Sequence, residues 1–150
     1  MAYLTMVLSR RLLEELGHIA VVWSAIEQSM LLTVSALTSQ DHDGMPTGDL
    51  RSDFKRLREL WWRESAKRLP KAHVDKVLQP LNMRLATAAK IRGDLMHGTW
   101  RQANRGYYTY GLWEQRKTLE FTEVTLPLRR IREIRCMMHR LQQDYIKAVS

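Results

Sequence analysis

The sequence predicts an all-α protein: a four-helix, up-and-down bundle with a small β-hairpin between the third and last long helices. Three observations lead there. Apolar residues recur at three-and-four spacing through four long stretches, the period of one helical face. Breaks rich in Gly, Pro, Asn and Asp separate those stretches. Only the region after Gly98 abandons the helical period, for aromatic and β-branched residues. At 150 residues and 45% hydrophobic, the chain reads as one domain, 1–150, able to bury a core of its own.

The first helix is expected from about Arg10 to Ser39, on a face formed by Leu12, Leu16, Ile19, Trp23, Ile26, Met30 and Leu37. Leu13, Ala20, Leu31 and Val34 widen that face enough to cover both the bundle and a second subunit. Asp41-His42-Asp43-Gly44-Met45-Pro46-Thr47-Gly48 reads as a loop. The second helix is expected from about Asp49 to Leu69, with Leu50, Phe54, Leu57 and Trp61 inward and arginines and lysines on its other sides. Pro70 opens the third segment, as proline does at a first helical turn. Pro80 must kink or split that helix, because it lacks an amide hydrogen and crowds the preceding turn. Val74, Leu78, Leu81, Leu85, Ala88 and Leu95 continue the stripe, and Gly98 stops it. Tyr107–Trp113 and Thr118–Val124 read as the two strands of the hairpin, with Asn104-Arg105-Gly106 as a turn before them. The last helix runs from near Pro127 to Ala148, capped by Thr125, with Leu128, Ile131, Ile134, Met138, Leu141 and Tyr145 facing in.

The net charge is +8, unevenly placed: residues 1–50 sum to −4 and residues 51–150 to +12. A basic surplus raises affinity for polyanions without choosing among them. Cys136 is the only cysteine, so no intrachain disulfide is expected and a reducing cytoplasm is the natural setting. The Leu16–Gln40 stretch carries Ser24, Gln28, Ser29, Thr33 and Ser35, too polar for an expected membrane span. The N-terminus has no basic start before an apolar run, so no secretory signal is expected.

One position breaks the third stripe. Between Ala88 and Leu95 the period calls for an apolar residue at 92, and the chain has arginine. A charge on a core-facing stripe is costly, so Arg92 needs a partner, a bound anion or a gap in the core. Five residues on, at the helix end, stands His97. A planar, permanent cation suits phosphate, and histidine exchanges protons near neutral pH. The pair suggests phosphodiester chemistry. On a regular helix the two lie about 140° and about 7.5 Å apart, so they do not close into one site unless the helix ends between them. A two-fold dimer would bring two of each to one cleft.

Arg92-x4-His97 followed by Gly98, set at the end of a third long helix in a four-helix pattern, resembles the HEPN superfamily. The opening helix with Trp23, Ile26 and Glu27 is similar to those of its members. The resemblance implies a four- or five-helix bundle, a homodimer, and a metal-independent endoribonuclease with Arg92 and His97 as catalytic residues and no cofactor; Asp94 joins them as a catalytic candidate on its spacing to His97. It also implies a toxin or defence effector restrained by a partner, such as an antitoxin. The chain departs from the cleaving members in having Gly93, where they carry a polar residue after the arginine. That departure favours the alternative, a non-catalytic module binding RNA, a nucleotide or a partner such as a nucleotidyltransferase.

Other residues have two readings. Asp94, three residues before His97, either orients the imidazole or is a solvated surface acid. Glu27 is either a buried counter-ion for Arg92, supporting the site from behind, or an exposed residue beside Ser24 and Gln28. Trp100 and Arg101, just past the motif, are the expected substrate contacts. Trp61, Trp62 and the Tyr107, Tyr108, Tyr110 cluster read as packing rather than base stacking, and the last helix's arginines as a solvated face. A third reading of the whole chain is a plain oligomerisation domain with the first helix as its seam. No metal is expected: Asp41-His42-Asp43 reads as a solvated loop, and His18, His73 and His139 show no ligand spacing.

Overall fold

The computed structural model describes residues 9–39, 53–104, 106–114 and 120–150. Four long helices dominate: α1 (Arg10–Ser39), α2 (Phe54–Arg68), α3 (Gln79–His97) and α4 (Leu128–Val149). Three antiparallel strands lie between α3 and α4: β1 (Thr99–Asn104), β2 (Tyr107–Glu114) and β3 (Glu120–Pro127), in the order β1-β2-β3. The expected loop Asp41–Gly48, the first residues expected of the second helix (49–52) and residues 115–119, which hold most of the expected hairpin turn and the first two residues expected of its second strand, lie outside the described residues.

The helical stripes meet in one core. Leu12, Ile19, Ile26, Met30 and Val34 of α1, Trp61 of α2, Leu85 of α3 and Ile131, Met138 and Tyr145 of α4 are fully buried. Tyr145 ties three helices together: its ring packs on Trp61 at 5.5 Å and its hydroxyl donates to Thr33 Oγ1 at 3.1 Å. By length and composition α1 is apolar enough to cross a membrane, and about a third of that apolar window is buried within the bundle. It also carries Glu15, nearly buried, whose carboxylate accepts from Arg132 and Arg135 of α4.

Helix directions correct the up-and-down expectation. Trp23 packs edge-on against Phe54, and Arg68 donates to the Leu37 carbonyl, so α1 and α2 run parallel. The Glu15–Arg135 and Thr33–Tyr145 contacts make α4 parallel to α1 as well. Only α3 runs the other way: Arg84 pairs with Asp144 near the end of α4. Short connections force antiparallel neighbours. From Trp23 to Ser39, α1 rises about 24 Å, and the fourteen residues that join α1 to α2 (40–53) are long enough to return over that distance.

The split at Pro80 takes a specific form. A turn at Lys71–His73 leads into a π-helical turn, Val74–Leu78, in which the Gln79 amide reaches back five residues to the Val74 carbonyl. The wider turn accommodates Pro80 within a helical run in which His73, Leu78 and Gln79 all keep right-handed dihedrals. On α2, Asp53 caps the helix by accepting from the Arg56 amide.

The sheet is larger than the expected hairpin. Thr99–Asn104 forms a third strand, pairing Trp100 with Tyr110 and Arg101 with Thr109. Gly106, at φ +75°, makes the turn into β2, and its carbonyl accepts from the Leu128 amide at the start of α4. Thr125 is not the cap of α4. It lies in β3 and shares a 2.8 Å hydroxyl bond with Thr109, while Pro127 precedes the helix. Ser9 holds the sheet to the start of α1 through the Tyr108 hydroxyl, at 2.6 Å.

Candidate functional site

The C-terminal half of α3 carries the candidate residues. Leu85, Ala88 and Leu95 are buried, and Arg92 lies on the same stripe, partly buried. It forms no hydrogen bond or ion pair with any described residue, and its Nε is sealed from solvent without a partner. The two terminal nitrogens are not sealed, so the guanidinium has a desolvated inner edge and an outer edge of free N–H donors. Such an outer edge has the donors to hold an anion, and no described carboxylate pairs with it.

Glu27 does not fill it. Its carboxylate accepts a 2.7 Å bond from Trp23 Nε1, one turn earlier on α1. The buried counter-ion reading is therefore corrected: an indole N–H and a carboxylate at i, i+4 satisfy each other locally, and Glu27 makes no ion pair with Arg92. The buried carboxylate of Glu15 on α1 is taken by Arg132 and Arg135 of α4, and that of Glu64 on α2 by Lys67 and Arg68.

His97 is the last residue of α3, exposed, and it forms no hydrogen bond or ion pair with the described residues. The helix does not end between Arg92 and His97. The two side chains therefore leave one continuous helix about 140° apart, and a single chain does not bring them together. Asp94 points to neither reading cleanly. Its side chain makes no hydrogen bond with His97, while its charge lies near the Tyr110 phenol. Burial, and secondarily that charge, push the Tyr110 hydroxyl above its ordinary value near 10.

Gly98 ends the helix, but not by the left-handed route expected of a glycine stop. Its backbone is extended, at φ −69° and ψ 148°. Glycine is needed for space: an added Cβ would lie 2.8 Å from the Asp94 carbonyl oxygen and 3.1 Å from Tyr110 Cβ. The chain turns there directly from α3 into β1, beneath the Tyr110 ring. Gly93 differs, since nothing lies within 4 Å of where its Cβ would be.

Neither expected substrate contact is free. Trp100 is buried at 6% exposure, donates from Nε1 to the Leu95 carbonyl at 2.8 Å and packs on Tyr110 at 4.9 Å. Strand alternation turned it inward. Arg101, on the opposite face, is exposed and reaches across β2 to Glu123 at 3.1 Å. Sequence reasoning missed Tyr110 as a neighbour of Asp94 and Gly98. Its signal was the Trp100–Tyr110 pairing, invisible until β1 is recognised as a strand.

Asp41-His42-Asp43 lies outside the described residues. No protein-family model, no curated protein and no solved structure matches the chain.

Proposed function

We propose that the chain is a metal-independent endoribonuclease acting as a homodimer of a HEPN-like bundle. The observation that carries this reading is Arg92: an arginine on a buried stripe, with its Nε orphaned and no ion pair to any described carboxylate. Folding alone gives no reason to keep such a group. Anion binding does.

RNA brings its own nucleophile. The 2′-hydroxyl attacks the adjacent phosphorus, forming one P–O bond as the bond to the 5′-oxygen breaks. His97 of one subunit takes the 2′ proton and passes it on to the leaving 5′-oxygen, while Arg92 of the other subunit faces the same phosphate. The Arg92 N–H donors hold the non-bridging oxygens as charge gathers on them. The products are a 2′,3′-cyclic phosphate and a 5′-hydroxyl. The dimer is required because Arg92 and His97 diverge within a chain. Its support is the outward face of α1, where Leu13, Val21 and Leu32 are 52%, 70% and 62% exposed. The parallel α1–α2 pair departs from the up-and-down order, so the reading rests on Arg92 and not on helix order.

The test is incubation of the full chain with single-stranded RNA in EDTA. Cleavage by the wild type, lost in Arg92→Ala and in His97→Ala, is expected. Intact RNA, or equal cutting by His97→Ala, refutes it.

Gly93 favours a second reading, a non-catalytic module that seats an RNA phosphate or a nucleotide on Arg92. RNA bound without cleavage, and released by Arg92→Ala, would establish that reading instead.

A further inference from the structure

We infer that the furrow between α3 and α4 is a docking site for an acidic amphipathic helix of a partner protein. Three adjoining cavities, of about 330, 210 and 530 Å³, follow one another along this seam and share Arg84. They extend from Lys147 to Arg129 on α4. That is nineteen residues, or about 27 Å and five helical turns.

The middle of the furrow is apolar. Met83, Ala88, Met137 and Leu141 line it, and Met83 stands 62% exposed. The two ends are cationic. Lys76, Arg84, Arg129, Arg132, Arg140 and Lys147 line them, against the carboxylates of Glu133 and Asp144. Arg84 is paired with Asp144, Arg129 with Glu133, and Arg132 with Glu15. Lys76, Arg140 and Lys147 form no ion pair with the described residues, so each end keeps unneutralised positive charge.

An apolar centre between cationic ends complements a helix with apolar residues at i, i+3, i+4 and i+7 and carboxylates beside them. Thioether side chains suit such a floor because they adapt to what lies on them. The charge selects an acidic helix and speeds its approach. Single-stranded RNA fits less well. Among the described lining residues His73, at the Lys147 end, is the sole aromatic ring, too few for a run of stacked bases, and Thr87 is the sole neutral polar side chain in the central cavity. The furrow includes neither Arg92 nor His97, so the inference stands apart from the ribonuclease reading.

The probe is a fluorescent synthetic helix of about eighteen residues, leucine at the four anchor positions and mostly glutamate elsewhere. Its partners in the test are the same pattern with lysine for glutamate, and a scrambled sequence of equal composition. Binding to the full chain is read by anisotropy. Alkylation of Cys136, the only cysteine and a lining residue of the furrow, reports where the peptide sits. The acidic helix is expected to bind and to protect Cys136, the lysine and scrambled peptides to do neither. Met83→Glu and Arg140→Glu, both at exposed positions, should each weaken binding by about tenfold. Lys90→Glu, exposed on α3 outside the furrow, should change it less than about twofold. Equal binding of the scrambled peptide, or binding untouched by Met83→Glu, overturns the proposal. So does protection of Cys136 by oligouridylate that Arg140→Glu abolishes and Met83→Glu leaves intact.

Discussion

Replacing Arg92 with methionine should make the protein more stable. Methionine has nearly the length of the arginine stem, the same helix propensity and no polar group to satisfy. In the wild type, Arg92 Nε is sealed from water with no acceptor. An unsatisfied buried donor costs about 1–3 kcal/mol, and the Met stem keeps the packing between Ala88 and Leu95. The expected gain is therefore about 2 kcal/mol. For a chain of this size that raises Tm by about 4–8 °C. Urea denaturation at fixed m-value, with a thermal melt beside it, measures the change. A functional group held against folding behaves this way. A loss of more than about 1 kcal/mol would refute the reasoning, because Arg92 would then be holding the bundle together.

Four further outcomes follow from the geometry. Gly98→Ala places a methyl 2.8 Å from the Asp94 carbonyl, so it should lose about 1–3 kcal/mol in the same denaturation assay. Gly93→Asn meets open space and should fold with stability changed by a few tenths of a kcal/mol at about the helix-propensity difference; it should raise RNA cleavage, and an unchanged rate would favour the non-catalytic module. Trp100→Phe removes the donor to the Leu95 carbonyl and should cost about 1–3 kcal/mol, with RNA affinity of the folded protein unchanged in a filter-binding assay. Burial pushes the Tyr145 hydroxyl up to about 12. A raised folded pKa gives stability that is complete below 10 and lost as pH climbs toward 12. The denaturation midpoint of Tyr145→Phe should consequently fall less over that range than the wild type's.

The four helices were legible because their stripes are long and regular. Leu12 to Val34 and Ile131 to Tyr145 each place one apolar residue per turn, and these are buried except Leu16, which is partly buried beside the buried Glu15. The split before Pro80 was legible because proline chemistry is local. β1 was not. Thr99–Asn104 is short, with Arg, Gln and Asn among its residues, and it becomes a strand only by pairing with β2. Missing it turned Trp100, an inward-facing core residue, into a surface residue. Helix direction was hidden for a similar reason: it depends on what the ends of a connection touch, here Leu37 with Arg68 and Trp23 with Phe54. At the site, Arg92 was visible as a break in the stripe. Its lack of a partner was not, since Glu27 could be seen to bind Trp23 only once side chains were placed.

The measurement that bears most directly on the two-subunit site is complementation. Arg92→Ala and His97→Ala chains are purified separately, unfolded, mixed and refolded together, then given RNA in EDTA. Each parent alone should be inert, and the mixture should cut RNA, because one subunit's guanidinium and the other's imidazole meet in the shared cleft. A mixture as inert as its parents, beside an active wild type, would contradict a cleft built from both chains.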